Sequence, residues 1–190
     1  MSTTRHTTRR TEQSRHFAWR ENLESLVWAA AVALIIRTFV IAPFKIPSGS
    51  MRMTLLEGDR ILVNKFIYHF REPRRGDIVV FRFPSDPKRP FIKRLTGLGG
   101  DAVEIRDGAV LVNGHPLAGH GTFEARYYVN QGELGSVGQV VHVPPDEFYV
   151  LGDNSASSHD SRFWGFVPKR LLIGQAVCIF WPPKRMRIFH

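Results

Sequence analysis

Apolar residues divide the chain into three regions. Residues 1–20 are polar, rich in Thr and Arg, and carry no periodic apolar face, which is typical of a mobile tail. A nearly continuous apolar run extends from Leu26 to Phe44 and is interrupted only at Arg37 and Thr38. Beyond residue 54 the apolar residues recur in short runs between turn residues. The pattern predicts a tail, one apolar helix and a β-rich domain.

The apolar run has the length of a membrane span. As a helix it would extend about 28 Å at ~1.5 Å per residue, close to the ~30 Å core of a bilayer. Trp28 suits one interface, and Arg37 near the other end can extend to the head groups. A buried helix of a soluble domain is the alternative. We expect residues 23–44 to form a transmembrane signal anchor.

The basic flank predicts the orientation of this anchor. Arginines at positions 5, 9, 10, 15 and 20 precede the apolar run, which favours a cytoplasmic N-terminus. No small-x-small site with a polar start follows the run, so we expect the segment to stay uncleaved. The prediction is a single-pass protein of the cytoplasmic membrane, with a cytoplasmic tail over residues 1–22 and an extracytoplasmic domain over 45–190.

Short strand-like runs make up the rest of the chain. Asp107–Gly108 between two apolar runs is a strong hairpin signal. The pattern predicts a mostly antiparallel β domain, with a smaller β cap lobe over residues 102–147. The predicted strands are Ile61–Val63, Asp77–Phe83, Phe91–Leu95, Val103–Ile105, Val110–Val112, Val140–Val143, Phe148–Leu151 and Ile173–Trp181.

Composition limits the partners. The 190 residues carry a net charge of +9, which indicates an anionic neighbour, either lipid or nucleic acid. The basic residues are scattered and no aromatic stacking residues alternate with them, so the pattern favours membrane lipids over nucleic acid. The single cysteine, Cys178, lies in an apolar run and is expected to be a buried apolar residue. No metal-binding motif is present.

Candidate nucleophiles lie directly after the apolar run, in Pro47–Ser48–Gly49–Ser50–Met51. Pro47 and Gly49 shape the backbone there, and two nearby hydroxyls can supply one nucleophile and one hydrogen-bond donor. Because Ser-Gly turns are common, the segment also fits a plain linker.

Lys93 is the candidate base. A serine nucleophile needs a base, and His159 is the one histidine retained as a minor alternative. A strand period of two places Lys93 on one face with Phe91 and Leu95. Loss of water lowers the pKa of a lysine, so that the neutral amine can accept a serine proton. A strand lysine whose head reaches solvent is the alternative.

A third polar segment, residues 152–162, follows the strand Phe148–Leu151 and is dense in Ser, Asp and Arg. It fits a solvated turn, but it also carries the groups needed to orient a lysine amine and to fix the loop with an Asp–Arg pair.

These segments together resemble the boxes of bacterial type I signal peptidases, which are serine–lysine proteases. The likeness covers residues 23–190 and rests on Ile46–Met51, Arg75–Val79, Ile92–Arg94, Gly152–Asn154 and Ser158–Arg162. The resemblance implies an endopeptidase that removes N-terminal signal peptides from exported preproteins after Ala-x-Ala sites. Its partners would be signal peptides emerging from the export machinery and membrane lipids, and no metal or cofactor would be required.

The resemblance also implies roles for individual residues. Ser50 matches the acylating nucleophile and Lys93 the general base. Ser48, with the backbone N–H of Ser50, matches the oxyanion hole. Ser158 matches the serine whose hydroxyl bonds the lysine amine.

Further residues match supporting positions of the family. Asp160 and Arg162 match an ion pair. The walls of the pockets for small substrate side chains match Phe44, Ile46, Met51, Leu55, Val80, Phe91 and Ile92. The chain departs from the usual pattern at Met53, where Pro is common, in the turn Gly97–Asp101, and at Ser155, where Arg is usual.

Three other classes of protein share part of this pattern. A self-cleaving repressor of the SOS type has the same Ser–Lys chemistry but would carry an N-terminal DNA-binding domain. A conjugative pilin-maturing peptidase is hard to separate by sequence. A non-enzymatic membrane-tethered β domain would not need Ser50, Lys93 and Ser158 together.

Overall fold

The computed structural model describes residues 23–34, 40–117, 123 and 126–189. The predicted tail, residues 1–22, and residues 35–39 of the predicted anchor lie outside the described residues. The chain divides into two compact units, Met1–Val40 and Ile41–His190. In the first unit, residues 23–34 form helix α1.

The apolar run does not stay helical as far as Phe44. Ile41–Lys45 is a strand whose residues alternate between exposed and half-buried, and it pairs antiparallel with Arg60–Asn64. Pro43 has no N–H to continue a helix, but an edge strand tolerates it. The predicted end of the anchor is therefore wrong. No helix within the described residues is both long enough and apolar enough to cross a membrane.

The second unit is built mainly from strands. Within the described residues these are β1 Ile41–Lys45, β2 Arg60–Asn64, β3 Ile78–Phe83, β4 Asp86–Gly97, β5 Ala102–Arg106, β6 Ala109–Val112, β7 His115–Pro116, β8 Val140–His142, β9 Glu147–Leu151, β10 Val167–Pro168, β11 Leu172–Trp181 and β12 Arg187–Ile188. All eight predicted strands are present, with small changes at their ends. The sequence did not predict β1, β7, β10 and β12.

Helical structure in this unit is short. One α-helix, α2, spans Ser161–Trp164. Single 3-10 turns are formed by Gly49–Met51, Ile67–His69, Glu133–Gly135, Ser155–Ser157, Lys169–Leu171 and Pro183–Arg185.

The strands form two antiparallel sheets. The larger sheet has the order β1-β2-β11-β3-β4-β9-β10, with β12 paired to β11, and the smaller has the order β7-β6-β5-β8. Every described strand pair is antiparallel. The predicted mostly antiparallel β fold is confirmed.

The smaller sheet occupies most of the region predicted as a cap lobe. Its hairpin β5–β6 turns at Asp107 and Gly108, both with positive φ (52° and 79°), as a two-residue primed turn requires. Its core includes Val103 and Val112 but also Tyr149 and Leu151 from β9. The two sheets therefore share one apolar cluster.

The central strand β3 is covered on both faces, which explains its apolar composition. Ile78 and Val80 belong to one core cluster, whereas the alternating Val79 and Phe81 belong to another. Lys93 of β4 pairs directly with Val79. A lysine is thus placed in the middle of an apolar sheet.

Candidate active site

Ser50 lies in the 3-10 turn that follows β1. The entry to this turn is fixed by two backbone bonds, from Ile46 N to Asp59 O and from Gly58 N to Ile46 O, each 2.9 Å. The following residue, Met51, is fully buried in the core. Ser50 itself is 8% exposed. Ser50 is therefore held between the hydrogen-bonded segment at Ile46 and the buried side chain of Met51.

Lys93 reaches Ser50 from β4. Its Nζ lies 2.6 Å from Ser50 Oγ and donates to the carbonyl oxygen of Ile92 at 3.1 Å. The amine is 5.7 Å from the centre of the Phe91 ring, and the residue is only 4% exposed. The predicted nucleophile and the predicted base are 43 positions apart in sequence but are in hydrogen-bond contact in the structure.

The surroundings change the protonation of this lysine. Burial lowers the pKa of Lys93 from 10.5 to about 8, although the negative charges of Asp160 and Asp153 act to raise it. Desolvation opposes the charged form, so it outweighs the two carboxylates. Near neutral pH a usable fraction of the amine is neutral and can accept the Ser50 proton.

The third polar segment contacts the nucleophile turn through its first residues, Gly152–Asn154. Asn154 donates from its backbone N to Ser50 O at 3.0 Å and from Nδ2 to Gly49 O at 3.0 Å. A Cβ on Gly152 would lie 2.6 Å from Ser50 O and would also collide with the hydroxyl of Ser158. Only glycine fits at this point of close approach.

Asp160 and Arg162 form a fully buried ion pair, with Arg162 Nε 2.8 Å from Asp160 Oδ1. Asp160 also caps α2 by accepting from Arg162 N and accepts from Gly152 N at 3.0 Å. Arg162 donates to Ser155 Oγ at 2.8 Å. Ser155, which departs from the family pattern, thus binds Arg162 directly.

Ser158 does not bond the lysine amine in this structure. Its hydroxyl is buried and has no hydrogen-bond partner among the described residues, because Lys93 Nζ is directed to Ser50 Oγ and the Ile92 carbonyl. The predicted Ser158–Lys93 hydrogen bond is therefore wrong for this conformation. Ser158 remains next to the site, against Gly152.

Ser48 is the residue before the nucleophile turn. It has an extended backbone, its side chain makes no capping hydrogen bond, and it is exposed. The first N–H groups of a helical turn have no partner within the turn, and the N–H of Ser50 belongs to that group. The Ser48 hydroxyl and the Ser50 N–H, both without a partner inside this described turn, therefore lie close together along the chain.

A second buried ion pair was not foreseen from the sequence. Arg94, next to the base, donates to both carboxylate oxygens of Asp153, at 2.7 and 2.6 Å. Thr54 donates to the same carboxylate, and Arg126 lies 3.3 Å from it. The sequence shows only that Arg94 follows Lys93 and that Asp153 lies in the segment Gly152–Asn154. Neither observation predicts that the two residues are in contact.

A small apolar cavity of about 70 Å³ adjoins the strand of Lys93, the residue that forms the candidate dyad with Ser50. Residues of β1, β2, β3 and β4 line it with the segment before Ser50: Phe44, Lys45, Ile46, Pro47, Ile61, Val80, Pro90, Phe91 and Ile92. Five of the seven predicted wall residues are among them. Met51 and Leu55 are not, because both are fully buried in the core behind the turn.

The minor alternative base and two nearby aromatic residues are not part of the Ser50–Lys93 pair. His159 is exposed, with ring contacts to Phe83 and Phe163. Trp164 packs against Phe81, and Phe166 packs against Tyr149. Within the described residues, no group of three or more His, Cys, Asp or Glu side chains could hold a metal ion.

Comparison with known proteins gives a consistent family. The chain matches the family described as signal peptidase, peptidase S26, over residues 19–181. It is 42% identical to a signal peptidase I of Leptolyngbya laminosa, over 87% of this chain and 81% of that protein. It is 35% identical to signal peptidase I of Pseudomonas aeruginosa, over 82% and 70%.

One solved structure, a signal peptidase I from Enterococcus faecalis V583, is 32% identical and matches with a TM-score of 0.45, over 55% of this chain and 97% of that one. The family match covers most of this chain, and the two curated relatives are matched over more than two thirds of their length. The chain belongs to the signal peptidase family, peptidase S26.

Proposed function

We propose that this protein is a type I signal peptidase, a serine endopeptidase that cleaves signal peptides from exported preproteins after small-x-small sites. The single observation that carries the proposal is the buried pair of Ser50 Oγ and Lys93 Nζ, 2.6 Å apart. The names of its relatives agree with this activity. A non-enzymatic β domain has no use for a desolvated lysine against a buried serine.

The chemistry follows from the two side chains. Neutral Lys93 takes the proton of Ser50 Oγ while the oxygen attacks the carbonyl carbon of the small residue before the cut. The resulting ammonium gives this proton to the leaving amine, and the signal peptide remains as an ester on Ser50. Lys93, neutral again, takes a proton from a water molecule as its oxygen attacks the ester carbonyl. The lysine then returns this proton to Ser50 Oγ as the ester bond breaks, which releases the signal peptide and restores the serine hydroxyl.

The oxyanion of each tetrahedral intermediate needs two donors. Ser48 Oγ and the backbone N–H of Ser50 are our candidates, because neither has a partner in the turn. Removal of one such donor typically raises the barrier by about 2.7–4 kcal/mol. Asp160–Arg162 and Arg94–Asp153 act as positioning pairs, since they fix the segments that carry Gly152 and Ser158.

The apolar cavity is our candidate for the substrate side-chain subsite. Its apolar lining suits a small aliphatic side chain such as that of alanine. Five predicted walls, Phe44, Ile46, Val80, Phe91 and Ile92, line it. We assign Met51 and Leu55 to the support behind the subsite.

The membrane location is also part of the proposal. The apolar sequence up to residue 40 and the preceding arginines support a single anchor with a cytoplasmic N-terminus and the β domain outside. Such an anchor concentrates the enzyme where signal peptides emerge. Membrane lipids and preproteins are then its partners.

The test is cleavage of a purified preprotein whose signal ends in Ala-x-Ala, by the detergent-solubilised full chain, with the product mass identifying the cut bond. We expect cleavage after the final Ala, and at least a hundredfold loss of kcat/KM when Leu replaces that Ala, because a signal peptidase requires a small side chain at this position. Ser50→Ala enzyme is the blank. Cleavage at other bonds, or equal rates on both substrates, would refute the proposal.

A further inference from the structure

A second cavity, of about 270 Å³, shares no lining residue with the apolar one. Three arginines, Arg94, Arg126 and Arg187, contribute to its walls. The remaining lining residues are Met53, Thr54, Gly76, Asp77, Ile78, Gln175, Ile188 and Phe189. No step of the proposed peptidase chemistry uses Arg126, Arg187 or this space.

The charges around this cavity do not balance among the described residues. Arg94 and Arg126 share the single carboxylate of Asp153. Asp77, on the wall, is bound by Arg71 at 2.9 Å and by Gln175 Nε2 at 3.0 Å. Arg187 acts on the pKa of Asp59, which is already paired with Arg185. Five guanidinium groups thus face three carboxylates, which leaves an excess of positive charge.

Arg187 carries part of this excess. Its guanidinium donates to the backbone carbonyl of Thr54 and lies 5.4 Å from the centre of the Phe189 ring. Among the described residues it forms no ion pair. Since β12 is exposed, this guanidinium is available to a ligand that enters the cavity.

Arg126 carries the second independent observation. Its side chain is only 8% exposed, and its Nη2 donates to Thr54 Oγ1 at 2.8 Å. Its Nε is buried and has no hydrogen-bond partner in the part of the chain that the structure describes. Burial lowers the pKa of this guanidinium; Asp153 acts to raise the pKa and Arg94 to lower it. A buried guanidinium N–H without an acceptor is costly, and an oxyanion in the cavity would supply that acceptor.

We propose that this cavity is a binding site for a phosphate group, held by Arg126 and Arg187. Guanidinium groups match the geometry of phosphate oxygens with paired N–H bonds. Met53 and Ile188 at the walls are 60% and 64% exposed, so the same site suits either free phosphate or the phosphate of an anionic lipid. The inference does not depend on the peptidase assignment.

The test measures the melting temperature of the detergent-solubilised full chain with inorganic phosphate, against chloride at equal ionic strength. At about ten times the dissociation constant, bound phosphate raises the melting temperature by roughly 3 to 6 °C. We expect this rise in the parent and in Arg170→Gln, an exposed arginine outside the cavity, and its loss in Arg126→Gln and Arg187→Gln.

Arg187→Gln keeps the test decisive even if Arg126→Gln fails to fold, because Arg187 lies on the exposed strand β12. An equal rise in Arg187→Gln and Arg170→Gln, or no rise in the parent with any phosphate compound, would overturn the proposal.

A second arm adds phosphatidylglycerol or phosphatidylcholine to the micelles and identifies the source. Stabilisation by phosphatidylglycerol that Arg187→Gln loses and Arg170→Gln keeps identifies a lipid head group. Stabilisation by inorganic phosphate alone, with the same dependence on Arg187, identifies the free ion.

Discussion

Lys93 has lost most of its contact with water, and this loss determines how the amine behaves. Its strand partner is the fully buried Val79, and the Phe91 ring lies beside the ammonium. Asp160 and Asp153 favour the charged form but do not offset the burial. The burial of Lys93 and the two carboxylates come from different segments of the chain. The pKa of Lys93 therefore depends on how the whole site is packed.

The pH dependence of cleavage should therefore follow the neutral form of Lys93. With a pKa of about 8, kcat/KM should rise tenfold per pH unit below 8 and level off above it. Steady-state cleavage of a preprotein between pH 5.5 and 9.5 measures this. A midpoint near 6.5 would point to a histidine instead.

Burial of this amine also costs stability. The folded pKa of Lys93 is below its ordinary value, so the cost is fully present below pH 8 and disappears as the pH rises towards 10.5. Lys93→Met should raise the free energy of unfolding at pH 7 by roughly 1 to 3 kcal/mol. Urea unfolding at pH 7 and at pH 10 measures this.

Lys88→Met, at an exposed position of the same strand, is the control and should change neither value. A Lys93→Met protein that is less stable than the parent at pH 7 would contradict the account of the lysine.

At the scale of elements, the site depends on loops that cross between strands. The loop after β9 contacts the nucleophile turn through Asn154, and α2 fixes the same loop through Asp160. The dyad is therefore positioned by three segments that are far apart in sequence.

Gly152→Ala tests this arrangement. The added Cβ would lie 2.6 Å from Ser50 O, so the nucleophile turn must shift, and a displacement of ~1 Å typically costs about a hundredfold in rate. We expect kcat to fall by about that factor with the fold retained by circular dichroism. Ser157→Ala, at an exposed position in the same loop, is the control and should keep the parent kcat. A Gly152→Ala protein with the parent kcat would contradict the close approach of Gly152 to the nucleophile turn.

The sequence predicted most strands because their signals are local. Runs of β-branched residues between turns such as Asp107–Gly108 identify strands without knowledge of their partners. β1 was assigned to the helix, since Ile41–Phe44 continues the apolar run without a break. The two-residue strands β10 and β12 exist only through their pairing with β9 and β11, which no local pattern reveals.

Within the whole molecule, the residues that support the dyad could be predicted only in part. Asp160 and Arg162 are close in sequence, so their pairing was accessible. Thr54 and Asp153 are 99 residues apart, and their network with Arg94 forms only when the fold brings four segments together. Among the described residues the Ser158 hydroxyl has no partner, because the Lys93 amine is directed to Ser50 Oγ and the Ile92 carbonyl, a direction that no sequence pattern reveals.

The β domain carries two cavities that share no lining residue. The apolar cavity uses β1, β2, β3 and β4, whereas the arginine cavity uses β12 with residues of β3, β4 and β11. Asp153 links the arginine cavity to the dyad, since it binds Arg94 and acts on the pKa of Lys93.

The most direct test of the central claim is cleavage of one preprotein by four variants of the full chain. The pairs are Ser50→Ala with Ser157→Ala, and Lys93→Met with Lys88→Met, each compared at equal concentration and with the fold checked. We expect Ser50→Ala and Lys93→Met each to lose at least a thousandfold in kcat/KM, while both control variants keep the parent rate. Cleavage that survives loss of either Ser50 or Lys93 would contradict the assignment of this dyad.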